Sequence, residues 1–283
     1  MNTAHRRWRH RVCAACLQVL PKRLLTTLAG HVLRSRSSRI LVRGFAAVYR
    51  ISLTDCEQPW QSYRSLAEFF ARRLRPGLRA LDGDDRVIAS PVDGTVSELG
   101  RIERGTAIQA KGYAYAVSSL LADRAHAFEG GQYLTIYLSP SDYHRIHAPF
   151  SATVDKAIRI PGTLFPVNSL GSQSIQSLFT RNERVVAWLK AEERDLAMAA
   201  IGSFVVGSVQ LSLPTATVAR ARRNSGPPAT LLMKPVPIDR GEEFGWFEFG
   251  STVVLLFGPD QAQLTVQSGE RVKALSGIGF WRT

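Results

Sequence analysis

Tyr133-Leu-Thr-Ile-Tyr-Leu138 is followed by Ser139-Pro-Ser-Asp142-Tyr-His144-Arg-Ile-His147-Ala-Pro149 and then by Ala152-Thr-Val-Asp-Lys-Ala-Ile-Arg-Ile160. Two short runs of Ile, Leu, Val, Thr and Tyr on either side of a Ser- and Pro-bearing stretch have the pattern of strands rather than of an amphipathic helix. The same pattern recurs from Arg86 onward, at residues 87–90, 95–99, 185–189, 204–213, 230–233 and 253–257, each bounded by Gly, Pro, Asp or Ser. Helical periodicity in this region is confined to residues 118–128 and 173–179. The pattern predicts an α+β protein, a mainly antiparallel β body preceded by N-terminal amphipathic helices.

The chain has 283 residues, 45% of them hydrophobic, and three cysteines. That excludes a disordered protein and a disulfide-built secreted module. Its net charge of +13 is unevenly placed: residues 1–80 hold 16 of the 36 Lys and Arg but only Asp55, Glu57 and Glu68 as acids, so the body is neutral. A polyanion, either anionic lipid or nucleic acid, is the expected partner of the first quarter of the chain. Leu17, Leu20, Leu24, Leu25, Leu28 and Val32 recur there at helical spacing, with Pro21 as a break, and residues 40–50 place Leu41, Phe45, Val48 and Tyr49 on one face. Basic amphipathic helices suit a lipid headgroup layer, where each cation adds about 1 kcal/mol. Docking of these helices on the body, with solvated arginines, is the competing reading. The acid-free start also resembles an organellar transit peptide. The longest uncharged run, 196–219, is broken by Ser, Gly, Gln and Pro and reads as strands with a turn, not a membrane span. Cys13 and Cys16 form a lone C-x-x-C without further ligands, so no metal is expected.

Ser65-Leu-Ala-Glu68 matches a capping box and predicts a helix carrying Leu66, Phe69, Phe70 and Leu74 up to Pro76. Beyond it, three clusters could carry chemistry. Ser90-Pro-Val-Asp93-Gly94 is a turn whose aspartate has an ordinary structural reading. In the second, Ser139, Pro140 and Asp142 read as a helix start, which would put His144 and His147 on one face, both suited to proton transfer near neutrality. In the third, Phe247-Glu-Phe-Gly250-Ser251-Thr252, Gly250 is either a β-bulge or a point where the backbone distorts until the Ser251 hydroxyl reaches the Gly250 carbonyl. A serine needs a base and an orienting acid, which the other clusters could supply. Nucleotide-loop, zinc-protease and G-x-S-x-G signatures are absent.

Together these clusters resemble the phosphatidylserine decarboxylase family. The likeness runs in order through Phe69-Phe70, Ser90-Pro-Val-Asp93-Gly94, Gln109-Ala-Lys111-Gly112, Tyr143-His144-Arg-Ile-His147, Arg181-Asn-Glu-Arg184, Val206-Gly207-Ser208 and Gly241-Glu-Glu-Phe-Gly245. It departs at Phe249, where the family usually has Leu, and at Pro166, where it usually has Ser. The resemblance implies self-cleavage between Gly250 and Ser251, with His147, oriented by Asp93, taking the serine proton. The products are chains 1–250 and 251–283, which stay associated as a heterodimer, and a covalent pyruvoyl cofactor made from Ser251. It further implies that this group forms an imine with phosphatidylserine, releasing CO2 and phosphatidylethanolamine, with His144 as proton donor. By the same resemblance, residues 1–60 are the basic membrane-associating helical segment and 61–283 the decarboxylase catalytic domain. The protein is then peripheral on the cytoplasmic side of the cell membrane, or on an organellar inner membrane if the N-terminus is a transit peptide. Family members are often dimeric, and lipid displaces nucleic acid as the partner of the +13 segment.

The residues alone leave two other readings open. One is a serine hydrolase using Asp93, His147 and an unprocessed Ser251 on an exogenous ester. The other is a non-enzymatic membrane or nucleic-acid binding protein built on the basic segment.

Overall fold

The computed structural model describes residues 22–110, 113–192, 194–203, 209–214, 226–232, 234–248 and 250–282. Cys13 and Cys16, the first half of the N-terminal leucine pattern, Lys111-Gly112, Val206-Gly207-Ser208 and Phe249 lie outside the described residues.

Three helices come first: α1 (Lys22–Arg34), α2 (Leu41–Val48) and α3 (Leu66–Phe70). The body follows as β1 (Val87–Ala89), β2 (Gly94–Arg101), β3 (Thr106–Ala110), β4 (Tyr113–Ala116), α4 (Val117–Leu121), β5 (Gln132–Leu138), β6 (Arg145–His147) and β7 (Ala152–Ile160). Next come α5 (Ser169–Ser174), α6 (Leu178–Arg181), β8 (Arg184–Ala191), β9 (Arg194–Gly202), β10 (Val209–Leu211), β11 (Ala229–Thr230) and β12 (Val236–Ile238). The C-terminal part holds β13 (Glu243–Phe247), β14 (Ser251–Phe257), β15 (Ala262–Leu264), β16 (Arg271–Val272) and β17 (Gly277–Trp281).

The main sheet has nine strands in the order β11-β7-β8-β9-β14-β5-β2-β16, with β12 also on β7, and every strand-to-strand pairing is antiparallel. Alternating side chains explain its double-sided burial. Val253, Leu255 and Phe257 join one apolar cluster with Leu134, Ile136, Met198 and Ala200, whereas Val254 and Leu256 join another with Tyr133, Ala197, Ala199 and Ile201. The first face is covered by two three-stranded sheets, β10-β13-β6 and β1-β17-β15, and the second by the β3-β4 hairpin and helices α4 to α6. Strand β14 is therefore buried along its whole length, which is why 253–257 reads as an unbroken apolar run.

A third cluster, Val42, Ala46, Cys56, Tyr63, Leu66 and Phe69, joins the N-terminal helices to α3 and runs across residue 60. On α2, Val42 and Ala46 pack into this cluster, which leaves Leu41, Val48 and Tyr49 of the expected apolar face exposed. Helix α3 starts as predicted, with Ser65 Oγ accepting from the Glu68 N–H at 3.2 Å, but ends at Phe70 rather than 74, because Leu74 is drawn into a β-bridge with Cys56. The predicted helix at 118–128 is two pieces, α4 and a 3-10 turn at Ala125–Phe128, separated by Ala122 at φ 62°. The one at 173–179 straddles the break between α5 and α6. Among the described residues no helix is long and apolar enough to cross a membrane.

Candidate active site

The register of the main sheet gathers the three clusters at one end. Ser251 opens β14 and pairs with Leu138, the last residue of β5, and with Gly202, the last of β9. Thr252 pairs with Tyr137, which on its other side pairs with Thr95, so Asp93 stands just beyond the same end of β2. Gly94 permits this approach, because a Cβ there would lie 2.5 Å from the Tyr137 carbonyl oxygen.

The chain leaves β5 through a turn, not the helix expected from Ser139-Pro140. The Asp142 carboxylate caps backwards, accepting from the Ser139 N–H at 2.7 Å and the Ser139 hydroxyl at 2.8 Å, while the Asp142 N–H closes the turn on the Ser139 carbonyl at 2.9 Å. His144 follows the turn and His147 ends β6, so the two histidines do not share a helix face. They occupy separate environments.

His147 is held by its backbone and by both ring nitrogens. Its N–H donates to the Pro91 carbonyl at 2.8 Å, tying β6 to the Asp93 turn. Its Nδ1 donates to the Gly241 carbonyl at 2.8 Å, since a carbonyl can only accept, which leaves the lone pair on Nε2, 3.1 Å from the Tyr143 hydroxyl. Burial pushes the Tyr143 phenol up to about 12, so it is the donor in that bond. The expected direct bond from Asp93 to His147 is not made. The Asp93 carboxylate accepts instead from Arg79, at 3.1 Å from Nε and also from Nη2, and from the Ala274 N–H at 2.7 Å, and it acts on His147 through space. The reason is geometric: the Gly241 carbonyl already occupies Nδ1.

Burial lowers the pKa of His147, opposed by its bond to Gly241 and the charges of Glu243 and Asp93. A lowered pKa keeps the ring a neutral base to more acidic pH. Any proton transfer that uses it should therefore be flat through neutrality and fall only below the ordinary histidine value of about 6.5, measured as the rate of that step against pH.

His144 is fully buried, and burial, with Arg72 adding to it, pushes its pKa down to about 3. Its ring lies 3.9 Å from that of Phe70, and its Nδ1 donates to the Asp142 carbonyl at 2.8 Å. The Nε2 of His144, Ser251 Oγ and Thr252 Oγ1 are buried without a hydrogen-bond partner among the described residues. Such orphans cost about 1–3 kcal/mol each; Thr252 points to the opposite face of the sheet from Ser251, so it is the pair of Ser251 Oγ and His144 Nε2 that marks this end of the sheet as built for something other than stability. Gly250 sits at φ +51°, a left-handed conformation, at the point where the chain passes from the small sheet of β13 to the main sheet. The bulge within one strand is thus a crossing between two sheets.

A phosphatidylserine decarboxylase family model matches residues 66–279. The chain belongs to the phosphatidylserine decarboxylase family. It is 41% identical to the phosphatidylserine decarboxylase proenzyme of Anaeromyxobacter sp. (strain K), over 95% of this chain and 98% of that one. Identity to the proenzymes of that name from Brevibacillus brevis and Shewanella baltica (strain OS155) is 40% and 38%, over 86% and 95% of this chain and 88% and 95% of theirs. In this phosphatidylserine decarboxylase fold, several further residues support the site, some of them inside motifs whose roles the sequence did not disclose. Arg79 holds Asp93, and Glu243 accepts from Arg145 at 2.6 Å, Ser212 at 2.7 Å and Arg73 at 3.2 Å. Within the Arg181-Asn-Glu-Arg184 motif, Asn182 bonds both the Phe165 backbone and the Gly202 carbonyl beside Ser251, and Glu183 pairs with buried Arg159 at 3.0 Å. Asn182, Glu183 and Glu243 were visible as motif residues, and Arg72-Arg73 as a doublet after Phe69-Phe70.

Proposed function

We propose that this chain cuts itself between Gly250 and Ser251 and then decarboxylates phosphatidylserine at a membrane surface. The observation that carries the reading is the buried, unpartnered Ser251 hydroxyl next to a left-handed Gly250, at the sheet end shared with Asp93, His144 and His147. In the cleavage step Ser251 Oγ attacks the Gly250 carbonyl carbon and its proton passes to His147 Nε2, the Tyr143 hydroxyl giving way. The amide C–N bond breaks as the ester forms, with His147 passing that proton on to the departing Ser251 nitrogen. Asp93, held by Arg79, stabilises the imidazolium through space. Loss of the Ser251 α-proton expels the Gly250 carboxylate and leaves dehydroalanine, whose rearrangement and hydrolysis release ammonia and leave a pyruvoyl group at the head of 251–283.

Ser251 is the residue that fits such a group, because its oxygen serves first as nucleophile and then as leaving group. Once made, the group supplies an electron sink for the substrate's bond to its carboxylate. His144 is the proton donor in decarboxylation. In the resting state its proton is on Nδ1 and Nε2 is bare, so Nε2 must first be loaded, and the ammonium of the serine headgroup brings protons that it has to shed. The test is intact mass after borohydride treatment. Chains of 250 and 33 residues are expected, the shorter gaining two hydrogens as its ketone becomes an alcohol. An active, uncut chain would overturn the reading.

The lipid side rests on α1, α2 and the turn between them. Leu28, Val32, Ile40, Leu41, Val48 and Tyr49 make up six of the eleven exposed large apolar side chains among the described residues, interleaved with exposed Arg36, Arg39, Arg43 and Arg50. The protein is then peripheral, on the anionic cytoplasmic face of its membrane. Changing Ile40 and Val48 to Asp should cut sedimentation with phosphatidylserine-containing vesicles at least tenfold while self-cleavage proceeds, and binding of the parent should weaken as salt is raised.

A further inference from the structure

Four successive residues after the core of α3 each grip the segment that carries the histidines. The Phe70 ring lies tilted against His144; the Ala71 carbonyl accepts from Arg145 Nε at 3.0 Å; Arg72 reaches the turn before His144; and Arg73 pairs with Glu243, opposite His147 in the β13-β6 ladder. Arg72 is the unusual member. It is only 4% exposed, and its Nη2 donates to the carbonyls of Ser141 and Asp142, each at 3.1 Å. Its Nε and Nη1 have no partner among the described residues, and its guanidinium carbon lies 5.3 Å from the Phe69 ring centroid. A buried, incompletely bonded guanidinium is a poor device for stability, since desolvation takes more than two neutral acceptors return.

The carbonyl of Asp142 is the shared atom. It accepts from Arg72 Nη2 and from His144 Nδ1, using both of its lone pairs. We propose that Arg72 is a positioning residue for decarboxylation. By fixing the Asp142 carbonyl it holds the His144 proton on Nδ1 and aims a bare Nε2 at the site. The inference rests on His144 acting in decarboxylation. Arg72 has no hydrogen bond to Asp93, His147 or Ser251 and reaches Asp93 only through space, so self-cleavage is expected to proceed without it.

The experiment compares Arg72→Gln, Arg72→Lys and His144→Gln in the full chain. It reads chain cleavage on a gel, kcat and KM on phosphatidylserine in detergent micelles, and the His144 tautomer by 15N NMR of histidine-labelled protein. Arg72→Gln is expected to cleave fully, lose at least tenfold in kcat with KM within about twofold, and show His144 as a mixture of tautomers. Arg72→Lys, which keeps one charged donor, is expected to recover much of kcat and the single tautomer. An unchanged tautomer and kcat in Arg72→Gln overturns the proposal. So does joint loss of cleavage, thermal stability and kcat in both Arg72 variants, which would make the residue merely structural. If His144→Gln keeps full kcat, the role of His144 fails instead, and the tautomer spectrum still decides whether Arg72 positions the ring.

Discussion

Replacing Ser251 with alanine should leave one uncut chain of 283 residues with no decarboxylase activity above background. The loss is total rather than graded, because alanine removes both the attacking oxygen and the atom from which the ketone is made. The fold should survive: Ser251 Oγ has no hydrogen bond to lose among the described residues, and its backbone pairing with Leu138 and Gly202 does not need the side chain. A Tm within a few degrees of the parent is expected, best compared with an uncut parent trapped by a His147 variant. Ser251→Cys, which keeps a nucleophile and leaving group, should still cut. An alanine variant that turned over phosphatidylserine would end the proposal.

The second large effect is a separation of the two histidines. His147→Gln should block cutting, because the base that accepts the Ser251 proton is gone, and the uncut chain should be inactive for that reason alone. His144→Gln should cut normally, since its Nε2 has no part in that step, yet lose about 100-fold or more in kcat, the usual scale of a missing acid–base group. Gel and activity assay on the same two preparations decide the matter. If both variants fail to cut, the division of labour is wrong and the two rings serve one step. The distinct surroundings argue for separation: His147 is bonded through both ring nitrogens to Gly241 and Tyr143, whereas His144 is sealed against Phe70 with one nitrogen bare.

The fold was legible where side chains alternate or form long apolar runs. Ala152–Ile160 appears with the bounds expected from its pattern, and β14 and β5 extend their predicted segments by a residue or two. The β3-β4 hairpin was not, because its two short runs, Thr-Ala-Ile-Gln-Ala and Tyr-Ala-Tyr-Ala, dilute Thr, Ile and Tyr with four alanines, which are depleted in strands, and they pair as part of the cover over the sheet. The turn before His144 was misread for a related reason. Ser-Pro-x-Asp is a good helix start only if the serine caps forward, and here the aspartate caps backward while also taking Arg271. At the site, the chemically obvious residues Asp93, His144, His147, Gly250 and Ser251 were all named from their motifs. Of their supports, Glu243 lies in the quoted Gly241-Glu-Glu-Phe-Gly245 motif but without a role read from it, and Arg79 and Arg72 were not named, because they act across 14 and 70 positions of chain.

The placement of β14 in the middle of the nine-stranded sheet changes how the molecule can lose and regain its shape. Before the cut, strands β14 to β17 are joined to their neighbours by the chain itself. After the proposed cut at Gly250-Ser251 they would belong to a separate 33-residue peptide wedged between β9 and β5, with its later strands on β2 and β1. Recovery from denaturant then becomes a bimolecular reaction whose yield falls on dilution, and the peptide's apolar strand would be open to aggregation while it waits. The mature protein is in effect a one-time assembly, durable only for as long as it does not come apart.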